Sequence, residues 1–485
     1  MKVSVIDLGY NSLKLVNYEV AKDRSFAAYG QKSTLPRLGE GLDKTGILED
    51  QPISRTLKAL KLFRDIVDLQ HVNHVLPIAT SAVREAGNKN LFLKQALVET
   101  GFAFKVLSER EEAVYSYAGA RVALNVQAGL FFDLGGGSLE MVHFEDTRIR
   151  KILSLPLGGL RLTDLYASGN GGFSKKSYAR MKKRILGLLP GAEDLPSDQK
   201  LDLVGVGGTV RAIARFEQIR DEYPINKLHN YEMSREQVES IHQALHKMKL
   251  KDIKKIPSIG QDRARSIVAG SMVVQLLMEK LGFRRIIVST HGLRDGVLSA
   301  FLEDPASYRA GSIEPVIHRA SNGRDPLPAS RGRELVEAIF AGGVLTKKER
   351  TILLDAIREV STLPLTNPES LFYIVLESDS ILGHADQVVM ALALANAQGM
   401  KRTDWLQATY QDLLEADSEE IVERLSSVIR LVEILNKTGA KLGLRFQGHR
   451  RVKIRLENNS KRFPEELYRD ALKDFKDHFD LKLST

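Results

Sequence analysis

Residues 130–140 read Leu-Phe-Phe-Asp-Leu-Gly-Gly-Gly-Ser-Leu-Glu, and apolar alternation continues to Phe144. An apolar β-rich run closed by an acid and glycines, then followed at once by an alternating run, is a strand, a tight turn and a second strand. Three glycines let the backbone approach an anion, consecutive N–H groups form an anion-binding nest, and the carboxylate of Asp133 ahead of them suits a divalent cation. The same unit stands near the N-terminus, where Val3 to Ile6 leads into Asp7-Leu8-Gly9-Tyr10-Asn11-Ser12 and a returning run to Glu19. Asp7 is in register with Asp133, and Ser12 with Ser138, at a distance of 126 residues. Stacked repeats recur every 20–50 residues or so, hence this period implies two domain-sized copies.

Outward from the two loops, strands alternate with helices. Helices are expected at residues 53–69 and 91–100 with a strand at 75–78. After the second copy come a helix at 174–189, a strand at 203–206, helices at 235–248 and 262–281, and a strand at 285–288. Such alternation calls for an α/β fold with mixed sheets. Gly205-Val206-Gly207-Gly208-Thr209 follows one of these strands and opens a helix. A glycine turn at a helix N-terminus suits phosphate, and tight strand-to-helix packing explains it equally well.

Beyond Pro305 the texture changes. Ser321 to Arg333 is a polar Pro/Gly linker, and helices are expected at 334–341, 347–359, 386–397 and 419–436. Residues 451–456 alternate basic and apolar side chains as a half-buried strand does, followed by a helix at 464–478 and a strand at 479–483. The expected domains are 1–124, 125–305, and a mainly helical 306–485 with a small α+β tail.

Composition narrows the function. With 43% apolar and 27% charged residues the chain is globular rather than disordered or fibrous, and 485 residues correspond to about three domains. An excess of 70 Lys+Arg over 61 Asp+Glu points to polyanionic partners. Basic clusters occur at Lys175 to Arg184, at Lys247 to Lys255, and at Lys441, Arg445, Arg450, Arg451, Lys453 and Arg455, with few aromatics between them, which argues against single-stranded nucleic acid. The absence of cysteine excludes disulfides, thiolate metal sites and cysteine nucleophiles. Asp7 sits where a signal peptide needs its apolar core, and the tract Ile267 to Met278 is shorter than the roughly 20 residues of a membrane span. A cytoplasmic location without membrane partners is expected.

The set Ile6 to Ser12, Ala79 to Asn88, Leu107 to Ala113, Phe132 to Glu140, Leu155 to Thr163, Gly205 to Arg211 and Ser289 to Val297 resembles, in order, the motifs of the exopolyphosphatase/guanosine pentaphosphate phosphatase family. The resemblance covers residues 1 to about 303. It implies two RNase H-like domains of the actin-like ATPase superfamily facing each other across a cleft, in agreement with the repeat. It also implies hydrolysis of a terminal phosphoanhydride in inorganic polyphosphate or in guanosine pentaphosphate, with Mg²⁺ as cofactor, and a homodimer. By this resemblance Glu112 is the general base, Asp133 and Glu140 are the acids associated with Mg²⁺, and Arg84 clamps phosphate. Glu111 reads as a solvated helix charge, though an offset of one would exchange it with Glu112. Asn11, Ser12, Gly135, Gly136, Gly137, Ser138, Gly207 and Gly208 would supply donors around the chain end, and Arg451 and Lys453 belong to a basic ridge that would guide long chains.

Some positions depart from the pattern. Tyr10 stands where the family commonly has serine, so only the backbone is expected to matter there, and His291 reads as a hinge or packing position. In longer members the third domain resembles an HD metal-phosphohydrolase fold, to which Tyr373 to Asp379, His384 and Asp386-Gln387 correspond in part. Ala393-Leu394-Ala395-Asn396-Ala397 replaces the Arg-Tyr-His segment usual there, so a degenerate, structural version is expected. A kinase of the same superfamily would share both loops but needs an acceptor site, and Glu112 in its Ser-x-x-Glu-Glu-Ala setting speaks against it. A polyanion-binding scaffold would have no use for Glu112, Asp133 and Glu140 together.

Overall fold

Asp7 and Asp133 lie near the ends of corresponding strands in two sheets built on one plan. The computed structural model describes residues 1–485 except 23, 147, 169–170, 192–200, 311–312, 314–330, 363–366, 401–403, 439–440, 447–450, 458–464 and 484–485. In the first sheet β1 (Lys2–Leu8) pairs antiparallel with β2 (Leu13–Val20), which pairs antiparallel with β3 (Phe26–Thr34). On its other side β1 is parallel to β4 (His74–Ala79), and β4 is parallel to β5 (Lys105–Val106). The order is β3-β2-β1-β4-β5.

The second sheet repeats this with β6 (Gly129–Leu134), β7 (Leu139–Glu145), β8 (Arg148–Leu155), β9 (Asp202–Val206) and β11 (Arg285–Val288), in the order β8-β7-β6-β9-β11. It adds β10 (Glu232–Ser234) antiparallel at the β11 edge. Central strands covered on both faces need near-continuous apolar runs, as in Gly129-Leu130-Phe131-Phe132. The edge strand β3 is largely exposed and polar, which blunts pairing with other chains.

Each sheet has its own apolar core, and a third is shared. Helices Asp50–Leu69 and Lys89–Thr100 cover the first sheet. Helices Arg235–Lys247 and Ile267–Leu281 cover the second. Twelve of the fifteen residues of Ile267–Leu281 are buried, so the longest apolar tract is a core helix; among the described residues no helix is long and apolar enough to cross a membrane. Between the lobes helix Glu109–Val122 packs on helix Leu293–Glu303, and both join strands of the two sheets in one cluster. Their backbones touch at glycines: a Cβ on Gly296 would lie 1.8 Å from the carbonyl oxygen of Tyr115, and one on Gly119 would lie 2.0 Å from that of Gly292. The helix expected at 262–281 is broken into Gly260–Arg263 and Ile267–Leu281. Ser266 turns its hydroxyl back onto the carbonyl of Arg263 there, a local bond that competes with the helix.

The chain forms two compact units, Met1–Arg324 and Asp325–Thr485. The second contains helices Arg331–Ala341, Lys347–Thr362, Pro368–Glu377, His384–Ala397 and Ser418–Thr438. It ends in strands β12 (Lys441–Phe446), β13 (Arg451–Glu457) and β14 (Lys482–Leu483) with helix Glu465–His478. The strand expected at 479–483 is thus only two residues long. Lys453 is exposed and faces Arg445 across the β12–β13 ladder; Arg450 and the side chains of Arg445, Arg451 and Arg455 lie outside what the structure describes.

Candidate active site

The two hairpin loops adopt the same closure. Gly9 donates its N–H to the carbonyl of Ser12 at 2.9 Å, and Gly135 does the same to Ser138 at 3.0 Å. Behind the second loop, the N–H groups of Gly158, Gly159, Leu160 and Arg161 take up the carbonyls of Gly137, Gly135 and Gly136. Those carbonyls are thereby turned onto the N-terminus of helix Gly159–Tyr166. The N–H groups of Gly136 and Gly137 find no backbone acceptor among the described residues, which leaves two consecutive donors of the kind an anion nest uses. At the third turn Gly207 has φ +111°, and a Cβ there would lie 2.4 Å from the carbonyl oxygen of Leu134, so this approach requires glycine.

All three turns open on one cavity of about 190 Å³ within the first unit. Asn11, Ser12, Gly135, Gly136, Gly137, Ser138, Gly207 and Gly208 line it, together with the carboxylates Asp7, Glu112, Asp133 and Glu140. The sequence-predicted residues of the first 305 positions therefore converge, with one exception. Arg84, on helix Ser81–Glu85, reaches the site by donating to Glu112 Oε2 at 2.8 Å and to the carbonyl of Leu107 at 2.9 Å.

Asp133 and Glu140 are cross-strand partners on β6 and β7, so their carboxylates share one face. Ser116 donates its hydroxyl to Asp133, and Ser154 donates to Glu140 Oε1 at 3.2 Å. Burial pushes the Glu112 carboxyl up to about 7, with the Arg84 guanidinium pulling the other way. Glu140 is raised well above the usual carboxylate range by burial and then by Glu112 and Asp133. Burial also raises Asp133, which the Ser116 hydrogen bond and the charges of Arg211 and Lys14 restrain. Buried carboxylates that repel one another are stabilised by an added cation. Among the described residues no group of three or more His, Asp or Glu side chains forms a ready-made metal cage. Two carboxylates beside a glycine-rich loop instead fit Mg²⁺, which takes one or two protein carboxylates and completes its shell with water and ligand oxygens.

Two expectations are corrected in detail. Glu111 is not a solvated charge: its side chain is 14% exposed, pairs with Lys105 Nζ at 3.0 Å, and closes a capping box with Ser108 at the start of helix Glu109–Val122. The Ser108-x-x-Glu111 spacing carries that signal in the sequence. Tyr10 does more than lend its backbone. Its ring is 2% exposed, its hydroxyl donates to Asp43 Oδ2 at 2.7 Å, and the Arg161 guanidinium lies 5.4 Å above the ring. Arg161, from the second lobe, also pairs with Asp43 at 3.0 Å and with Glu85 at 2.5 Å in the first. Tyr10 thus belongs to a clasp between the lobes. His291 packs edge-on against His229, as a packing residue does.

Sequence reasoning missed four cations that line the cavity, Lys14, Arg211, Arg263 and Arg294. They come from four separate elements, so no spacing links them. In the second unit His384 is buried and Asp386 pairs with Lys348 Nζ at 3.2 Å, so that carboxylate is already neutralised.

The Ppx/GppA phosphatase family matches residues 21–304. A bifunctional 3-dehydroquinate synthase/phosphatase of Fusobacterium nucleatum is 28% identical over 311 residues, 61% of this chain, and the chain spans 46% of that protein's length. Exopolyphosphatase 2 of Mycobacterium tuberculosis is 28% identical over 311 residues, covering 61% of this chain and 97% of that protein. The crystal structure of an exopolyphosphatase from Cytophaga hutchinsonii superposes with a TM-score of 0.58 at 24% identity, over 62% of this chain and 98% of that one.

Proposed function

Because the chain belongs to the Ppx/GppA phosphatase family, we propose that it is a Mg²⁺-dependent exopolyphosphatase that releases orthophosphate from the end of inorganic polyphosphate. The observation that carries the reading is Glu112, a carboxylate raised to about 7 and tethered by Arg84 at 2.8 Å, in a cavity shared with two phosphate-cradling loops. A carboxylate so tuned takes a proton from water near neutral pH. The water oxygen attacks the terminal phosphorus, the bridging P–O bond breaks, and the electron pair leaves with the shortened chain. Such a transition state spreads charge over the equatorial oxygens, to which the N–H groups of Gly136 and Gly137 and the hydroxyls of Ser12 and Ser138 would donate. Asp133 and Glu140 would hold Mg²⁺, which when bound neutralises phosphate oxygens.

Phosphate release from long-chain polyphosphate and from guanosine pentaphosphate, measured side by side, tests the substrate. Faster release from the chain is expected; turnover confined to guanosine pentaphosphate would transfer the reading to that nucleotide. Asp133→Ala and Glu140→Ala are each expected to raise the Mg²⁺ concentration for half-maximal activity by about 10–100-fold. An unchanged Mg²⁺ response in both would place the metal elsewhere.

The basic strand β13 is assigned a supporting role. Lys453, with Arg451, would track long chains, so Lys453→Gln should raise KM for long polyphosphate, spare short chains, and flatten the salt dependence of KM. Equal behaviour on both chain lengths would leave the strand a solvated face.

A further inference from the structure

Ser116 is a hydroxyl in an apolar setting. It is fully buried on helix Glu109–Val122 among Val114, Tyr115, Tyr117 and Ala118, and a buried hydroxyl without a partner is costly. A helical serine or threonine ordinarily meets that need at home, by donating to the carbonyl four residues back. Thr56, Thr100, Thr163 and Ser426 do so in their helices at 2.6–2.8 Å. Ser116 instead gives its single proton to Asp133 Oδ2, on strand β6 of the second lobe. The backbone of Gly292 closes over the hydroxyl: a Cβ there would lie 3.5 Å from Ser116 Oγ.

The consequence for Asp133 is a division of its two oxygens. Oδ2 is occupied by the hydroxyl, and Oδ1 accepts no hydrogen bond from a described residue. A hydrogen bond to one oxygen of a ligating carboxylate fixes how the group is turned and so tunes what the other oxygen can hold. Glu140 is held on the same principle by Ser154 at 3.2 Å, but from the neighbouring strand of its own sheet. The donor to Asp133 comes from the helix between the lobes instead. Four residues separate Ser116 from Glu112, so the hydroxyl and the Glu112 carboxylate stand on one face of that helix, one turn apart.

We propose that Ser116 is a positioning residue for the cation site: by holding Oδ2 it leaves Oδ1 of Asp133 as the oxygen for Mg²⁺ and keeps that carboxylate in register with Glu112. One helix then carries both the group that takes the proton of water and the group that aims an acid at the metal. The assignment rests on the Mg²⁺-dependent hydrolytic reading above.

The test titrates full-length parent, Ser116→Ala and Asp133→Ala with Mn²⁺, a spectroscopic stand-in for Mg²⁺, in the absence of substrate, with free Mn²⁺ read by electron paramagnetic resonance. Ser116→Ala adds no atom and favours the helix, and its urea midpoint checks the fold. Its Mn²⁺ affinity should fall about 10–100-fold, and no further than that of Asp133→Ala. Turnover should drop at low Mg²⁺ and return to within a few-fold of the parent at saturating Mg²⁺, whereas a merely structural serine would lower kcat at every Mg²⁺ concentration. Parental Mn²⁺ affinity in Ser116→Ala, or a loss exceeding that of Asp133→Ala, overturns the role. Parental affinity in Asp133→Ala would remove the metal assignment and this role with it. A parent chain that binds Mn²⁺ yet releases no phosphate would remove only the hydrolytic reading and leave Ser116 to be decided by the Mn²⁺ titration.

Discussion

Replacing Glu112 by glutamine is expected to lower phosphate release by about 10²–10⁴-fold while polyphosphate affinity stays within a few-fold. The amide keeps the shape and can still accept from Arg84, but it cannot take the proton of water. A second readout needs no substrate. The folded state raises the Glu112 carboxyl from its usual 4.5 to about 7. The native state therefore binds the proton more tightly than the unfolded chain, and the stability this confers is complete below pH 4.5 or so and lost as pH rises through about 7. Glutamine mimics the protonated form at every pH. Glu112→Gln should accordingly be more stable than the parent at pH 8, by about 1–3 kcal/mol, with the gap closing toward pH 4.5. Urea unfolding at the two pH values measures it. A variant that loses activity but gains no stability at pH 8 would show that the buried charge is already compensated by other groups.

The largest stability effect is expected at the helix crossing. In Gly296→Val the new Cβ would start 1.8 Å from the carbonyl oxygen of Tyr115. A carbonyl within a helix cannot rotate aside, so the two helices must part and open the core they share. Overpacking of this kind typically costs about 1–3 kcal/mol, and a backbone collision belongs at or above the upper end. Tyr115 lies one turn beyond Glu112 on the same helix, so turnover should fall along with the urea midpoint. A midpoint shift worth less than about 0.5 kcal/mol would mean that the helices separate freely.

The sequence made the repeat legible because both loops keep an aspartate ahead of glycine and a serine five residues on, a pattern set by close backbone approach. β6 was visible for the same reason as the core it enters, as an unbroken apolar run. β3 was not: Phe26-Ala-Ala-Tyr-Gly-Gln-Lys-Ser-Thr carries few apolar residues, since an edge strand packs only weakly. Helix Glu109–Val122 is not among the helices that periodicity predicts, and Glu111 reads there as a solvated charge although Ser108 three residues earlier completes a capping box with it. The four cations escaped because convergence of Lys14, Arg211, Arg263 and Arg294 is a property of topology, and isolated basic residues in separate elements carry no periodic signal. Tyr10 was visible as a departure, but which way its ring turns depends on Asp43 and Arg161, which lie 33 and 151 positions away along the chain.

Lys14 stands across its hairpin from Asp7 at the place where Glu140 stands across from Asp133, and these opposite charges at one repeated position bear on ancestry. Two identical half-chains assembled about a twofold axis must present the same residue at equivalent places, so a dimer of the repeating unit could offer only lysine facing lysine or glutamate facing glutamate. Joining both copies in one polypeptide releases that constraint, because each copy can then mutate alone. The fused chain can hold a lysine at one of the two equivalent positions and a glutamate at the other.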